Sequence, residues 1–153
     1  MFDKGRREFI TLLGGAAAWP LAARAQQGDR VRRIGVLMPR DENDPVGKLR
    51  HSAFTQALAE LGWTDGRNVR MELRWHGDDN NRLPTLAQEL VGLQPDIILT
   101  EATQATVAVQ RETQTIPIVF VNVGDPVANG VVARLDRPGG NITGFGGFEP
   151  SPI

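Results

Sequence analysis

Residues 95–109 read Pro-Asp-Ile-Ile-Leu-Thr-Glu-Ala-Thr-Gln-Ala-Thr-Val-Ala-Val. Pro95 and Asp96 interrupt whatever precedes them. Ile97-Ile98-Leu99 is a short, wholly apolar run, the pattern of a strand buried on both faces. Thr100 to Thr103 is a polar switch. Ala105, Ala108 and Val109 then recur at helical spacing. A strand passing through a short polar turn into a helix is half of a crossover between parallel strands.

The same grammar repeats on either side. Ile34-Gly35-Val36-Leu37-Met38, ended by Pro39, predicts a buried strand. Asp44 then offers a helix N-cap with Pro45 at the first helical position. Val46, Leu49, Ala53, Ala57, Leu58 and Leu61 follow at helical spacing, and Gly62 predicts the stop. Val69, Met71, Leu73 and Trp75 alternate with Arg70, Glu72 and Arg74, a strand with one wet face. Leu83, Leu86, Ala87, Leu90 and Val91 make another helical stripe. Ile118-Val119-Phe120-Val121 is a third buried strand. A short helix is expected from Pro126 to about Leu135. Arg137 to Asn141 is a turn, and Ile142-Thr143-Gly144 opens a last strand.

Regular alternation of strand and helix with short connections predicts an α/β fold: a parallel sheet of about five strands with helices on both faces. The half-polar second strand belongs at an edge, so the expected order is 2-1-3-4-5.

In such a sheet, ligands sit at the carboxyl ends of the strands, where helix N-termini converge. Three polar turns occupy those ends here. The candidate ligand-binding residues are Pro39 after the first strand, Thr100, Glu101 and Thr103 after the third, and Asn122, Gly124 and Asp125 after the fourth. Thr100, Thr103 and Asn122 offer hydrogen bonds to an amino or carboxylate group, and Asp125 can accept from an ammonium. Each has a plainer reading. Thr103 and Asp125 suit helix caps, Glu101 a solvated loop acid, and Asn122 a tie between two loops.

Catalytic and cofactor patterns are poor. His51 and His76 are the only histidines. Neither has an evident nucleophile or metal ligand nearby in sequence, and both are expected at the surface. No phosphate loop or nucleophile elbow occurs. Gly35 stands alone where a dinucleotide site needs three glycines. No enzyme activity, cofactor or metal is therefore expected. The net charge of −1 over 153 residues gives no basic footprint for nucleic acid. Cysteine is absent, which excludes disulfides, thiolate metal sites and a lipid-attachment cysteine.

The start of the chain has a separate character. Lys4, Arg6 and Arg7 precede an uncharged run of about 15 residues, shorter than the roughly 20 a bilayer-spanning helix needs. Ala23-Arg24-Ala25 follows as an A-x-A cleavage pattern. Residues 1–25 read as a signal peptide cut after Ala25, with no membrane span left once it is removed. Arg6-Arg7-Glu8-Phe9-Ile10 is similar to the twin-arginine export motif, with a general secretory signal as the other reading. Residues 26–33 are expected to be a tether, 34–145 one lobe, and 146–153 the start of a crossing to a second lobe. A periplasmic location follows.

Several runs together resemble one family. They are R-R-E-F-I-T-L-L-G-G-A-A-A-W-P-L-A-A-R-A-Q-Q, R-R-I-G-V-L-M-P, L-G-W-T-D-G-R-N-V, P-D-I-I-L-T, I-P-I-V-F-V-N-V-G-D-P-V and R-P-G-G-N-I-T-G-F. The chain resembles the ABC transporter substrate-binding proteins whose characterised members bind aromatic amino acids such as tryptophan. The likeness runs from Arg6 to about Ser151. It implies a two-lobed periplasmic-binding-protein fold, a small-molecule solute held between the lobes, and an ABC permease as partner. By position it places Pro39, the Thr100–Thr103 turn and Asn122–Asp125 on the cleft. Family members are about twice this length, so the second lobe is expected to be missing and solute binding by this chain weak. A sensory ligand-binding module, a gene fragment without function, and a flavodoxin-like enzyme are the competing readings.

Overall fold

The computed structural model describes residues 30–147. The expected signal peptide, residues 1–25, and its expected cleavage site lie outside the described residues. Five strands form one parallel sheet: β1 (Arg32–Met38), β2 (Val69–Trp75), β3 (Ile97–Glu101), β4 (Ile118–Val123) and β5 (Ile142–Gly146). Their order is β2-β1-β3-β4-β5, as the wet face of the second strand requires. Three α-helices connect them among the described residues: α1 (Pro45–Glu60), α2 (Leu83–Gly92) and α3 (Thr103–Glu112).

The two faces of the sheet differ. Leu37, Ile98, Ile118 and Phe120 point to one side and pack with Leu86, Ala87, Leu90, Ala105 and Val109 of α2 and α3. This is the main core. The alternate residues Val36, Met38, Leu99, Val119 and Val121 point to the other side, which among the described residues α1 alone of the helices approaches. Parallel sheets are normally covered on both faces.

α1 starts as the sequence demands. The Asp44 carboxylate accepts from the Gly47 backbone N–H at 2.8 Å, and Pro45 holds the first helical position. That bond, chiefly, holds the Asp44 carboxyl below its usual range. Gly47 is the one buried residue of the helix. A Cβ there would lie 2.8 Å from the Trp75 ring, so glycine lets α1 close onto β2. The expected core stripe is turned the other way. Gly47, His51, Phe54 and Leu58 face the sheet, whereas Val46, Leu49, Ala53 and Ala57 are exposed.

Two further expectations are corrected. β1 begins at Arg32, so Arg32 and Arg33 belong to the strand rather than to a solvated tether. The Asp96 carboxylate accepts from the Arg33 N–H at 2.8 Å, and the Arg33 guanidinium donates to the Leu93 carbonyl at 2.7 Å. The helix expected up to Leu135 is a single turn. Its closing bond runs from the Asn129 N–H to the Asp125 carbonyl at 3.1 Å. Gly130, at φ 69°, then reverses the chain, and the Val131 and Val132 N–H groups both return to the Pro126 carbonyl. Gly130, Pro138, Gly139 and Gly140 leave no stretch long enough for a further helix.

Candidate functional site

The carboxyl ends of the strands gather most of the backbone strain. Arg40, Asp78, Ala102, Asn122 and Asp125 all have positive φ, and all follow or end a strand. Such conformations cost about 1–3 kcal/mol each and concentrate where loops are held for function. Ala102 is the most demanding, at φ 74° and ψ 160°, a region that glycine alone enters freely. Its N–H donates to the Val121 carbonyl at 3.1 Å, which pins the turn after β3 against β4.

This turn opens α3 in an unusual way. Ala102 occupies the N-cap position and offers no side-chain acceptor, so no side chain caps α3. Thr103 is the first helical residue, not the cap. The first N–H groups of α3 are therefore left for water or a ligand.

The last residues of β4 and the loop after it face that helix end; Asn122, expected after the strand, lies within it at a break in register. Asn122 is exposed with φ 56°. The Asp125 carboxylate accepts from the Ala128 N–H at 3.0 Å, so its capping role is realised, and the residue remains exposed. The Asn129 amide donates to the Gly124 and Asp125 carbonyls at 2.7 and 3.1 Å and braces the loop. Between the two loops lies an open, polar depression of about 590 Å³. Thr103, Asn122, Gly124 and Asp125 line it together with Gln104 and Asn129.

The other candidates stand elsewhere. Thr100 lies inside β3 with no exposure, and its hydroxyl shares a 2.8 Å hydrogen bond with the Thr106 hydroxyl. That bond turns it toward α3 and away from the rim. Glu101 is 3% exposed and is not a solvated loop acid. It ends β3 and forms an ion pair with Arg50 of α1. Pro39 is half-buried at the end of β1. Gln104 and Asn129 were not expected, because a polar residue inside a helix or an irregular loop carries no sequence signal of its own.

His76 is not a surface residue, and His51 is half-buried. His76 is 4% exposed, and neither ring nitrogen has a partner among the described residues. Burial lowers its pKa, with Asp78 and Asp79 opposing and Arg82 adding to the effect. His51 packs edge-on against Trp75, ring centres 6.5 Å apart. No group of three or more metal-ligating side chains occurs among the described residues.

A family model described as ABC transporter substrate binding protein matches residues 42–151. The chain belongs to this family. The family is one of solute-binding proteins, not enzymes. A tyrosine-binding protein of Clostridioides difficile is 33% identical over 91 residues, which is 60% of this chain and 26% of that protein. A solved ABC domain in complex with L-Trp from Streptococcus pneumonia superposes with a TM-score of 0.69 and 28% identity, covering 75% of this chain and 38% of that one. A conserved domain protein from Vibrio cholerae gives 0.74 and 27%, covering 79% and 40%. The ABC transporter substrate-binding chain thus spans about a quarter of the curated relative and about two fifths of the solved ones. Among the described residues no helix is long and apolar enough to cross a membrane.

Proposed function

We propose that this chain supplies one wall of the solute cleft of an ABC importer, and that the solute is an amino acid, with an aromatic one as the leading candidate. The observation that carries the reading is the uncapped N-terminus of α3, opening with Thr103, Asn122 and Asp125 onto one polar depression. Free helix N–H groups and the helix dipole suit a carboxylate. The Asp125 carboxylate, exposed on the opposite rim, suits an ammonium. The pair of charges at one end of an amino acid matches this arrangement. The L-Trp and tyrosine ligands named for the relatives support the class.

Residues 1–25 serve as a cleaved export leader of the twin-arginine type, and the partner is an ABC permease. N-terminal sequencing of the periplasmic product should begin at Gln26. An intact Met1 or a cytoplasmic product would sink that part.

A site of this kind normally buries roughly 70–90% of a small ligand. One wall leaves much of the ligand wet, so affinity falls by tenfold for each ~1.4 kcal/mol lost. Titration of the chain with tryptophan, tyrosine and leucine, followed by backbone amide shifts, tests the reading. Weak binding is expected, with the largest shifts at Thr103, Gln104, Asn122 and Asp125. Asn122→Ala should remove them. Shifts centred on another surface would overturn the assignment.

A further inference from the structure

Asn129 is the only asparagine of the chain that is followed by glycine. In that dipeptide the glycine nitrogen can reach the asparagine side chain, because no Cβ stands in the way. The pair sits at the rim of the polar depression, and a Cβ at Gly130 would meet nothing within 4 Å. The turn that carries the pair is weakly held. One helical bond closes it, from the Asn129 N–H to the Asp125 carbonyl at 3.1 Å, and Val127, Ala128, Asn129 and Gly130 are all exposed. A lone turn with exposed hydrogen bonds opens at low free-energy cost. In the closed turn the Gly130 N–H donates to the Val127 carbonyl at 3.0 Å, so opening is what frees the nitrogen to react.

We propose that Asn129 is a site of spontaneous deamidation, and that the change dismantles the loop after β4 that this residue braces. The Gly130 nitrogen gives its proton to solvent base and attacks the Asn129 Cγ. The new N–Cγ bond closes a succinimide ring. The Cγ–Nδ2 bond breaks, and the side-chain nitrogen takes a proton from solvent and leaves as ammonia. Water then adds to the ring and splits either of its C–N bonds. The product is aspartate at 129, or isoaspartate where the chain is left running through Cγ. The net reaction consumes water and releases ammonia, with no oxidant or reductant.

The brace is lost with the amide. The Asn129 Nδ2 donates to the Gly124 and Asp125 carbonyls at 2.7 and 3.1 Å. A carboxylate has no hydrogen to give, so in the same place two attractions become two oxygen–oxygen repulsions. Isoaspartate also lengthens the backbone by a methylene before Gly130, which displaces the Val131 and Val132 N–H groups from the Pro126 carbonyl. Either product adds a negative charge to the depression that Asn129 shares with Thr103, Asn122 and Asp125. On the amino-acid reading of that site, on which this step rests, the new charge repels the solute carboxylate from the N-terminus of α3. The chain thus carries a slow chemical switch that turns its own solute site off.

The test ages the full chain in warm, mildly alkaline buffer and follows each asparagine by peptide mass spectrometry. Conversion at Asn129 should run ahead of every other asparagine, with isoaspartate among the products. Gly130→Ala places a Cβ beside the attacking nitrogen and should remove most of the conversion. Asn129→Asp supplies one product directly. Its far-ultraviolet circular dichroism should match the parent, and its backbone amide shifts should differ at Gly124, Asp125 and Ala128. Titrated with tryptophan, the aged chain and the Asn129→Asp chain should both bind at least about tenfold more weakly than the fresh parent. An Asn129 that stays intact while Asn43 or Asn80 converts overturns the proposal. So does an Asn129→Asp chain whose loop shifts equal the parent's, or whose tryptophan affinity does. If tryptophan moves no amide of the fresh chain, the solute reading alone fails, and the mass and loop measurements still decide the modification.

Discussion

Arg50 of α1 and Glu101 at the end of β3 form an ion pair across 51 positions of sequence. It joins a helix with few other anchors to the strand that leads into the α3 turn. The two ends of the pair are unequal. The Glu101 side chain is almost fully buried, whereas Arg50 is about half exposed. Removing Arg50 leaves a buried carboxylate without its counter-charge, a loss of about 3–5 kcal/mol when both partners are buried. Water reaches this guanidinium, so Arg50→Ala should cost less, about 1–2 kcal/mol in urea unfolding. Adding Glu101→Gln should recover much of it, since a neutral amide needs no counter-charge. A double variant no better than the single one would refute this account.

Gly144 is fixed by a close approach. β5 pairs with β4 so tightly that a Cβ at Gly144 would overlap the backbone of Phe120. Gly144→Ala should therefore separate the edge strand and cost about 3 kcal/mol or more, by the same logic as overpacking a core. Gly124→Ala is the control. Nothing lies within 4 Å of a Cβ there, and the change should stay within about 0.5 kcal/mol. Thermal unfolding of the two variants side by side checks the contrast.

The strands were legible because burial on both faces selects continuous apolar runs. Their order was legible because β2 alone alternates, with Arg70, Glu72 and Arg74 on one side. The inward face of α1 was not. Counting apolar residues favours the Val46–Leu49–Ala53 side, but the bulk of Trp75 requires Gly47 opposite it, and that contact appears only in three dimensions. Thr100 follows an apolar run and reads as strand-end, yet β3 continues through Glu101, which places Thr100 in the core. Asp125 was readable because a polar residue just after a buried strand lies at its end, whereas Asn122, expected after the strand, is the penultimate residue of β4, where the pairing with β5 shifts register and leaves it exposed. Gln104 and Asn129 reach the same depression from positions with no such mark.

Ala102 stores strain at the rim. With φ 74° and ψ 160° it occupies backbone that costs an alanine about 1–3 kcal/mol. Glycine removes that strain and adds unfolded-state freedom worth roughly 0.4–1 kcal/mol. Ala102→Gly should therefore raise stability by about 1 kcal/mol. Ala102→Val should lower it. Chemical denaturation decides, and a destabilising Ala102→Gly would mean that the turn is not strained.

His76 makes the fold sensitive to mild acid. The loop that follows β2 closes over the ring. The His76 N–H donates to the Met38 carbonyl at 3.2 Å and the Gly77 N–H to the Arg40 carbonyl at 2.8 Å. Burial disfavours the charged imidazolium, with Asp78 and Asp79 opposing and Arg82 reinforcing it, and the net result is a pKa below the ordinary 6.5. An unfolded chain takes up this proton near pH 6.5, and the folded chain only at lower pH. Between those two values the unfolded state binds more protons, so stability falls as pH falls. The slope from one such group is at most about 1.4 kcal/mol per pH unit, and above pH 7 the effect vanishes. His76→Leu removes both the titrating group and its two unpartnered nitrogens. The variant should match or exceed the parent near pH 5 and flatten the decline from neutral pH downward. Unfolding midpoints in urea at half-unit steps from pH 5 to 8 measure it, and an unchanged slope in the variant would assign the acid sensitivity to the carboxylates instead.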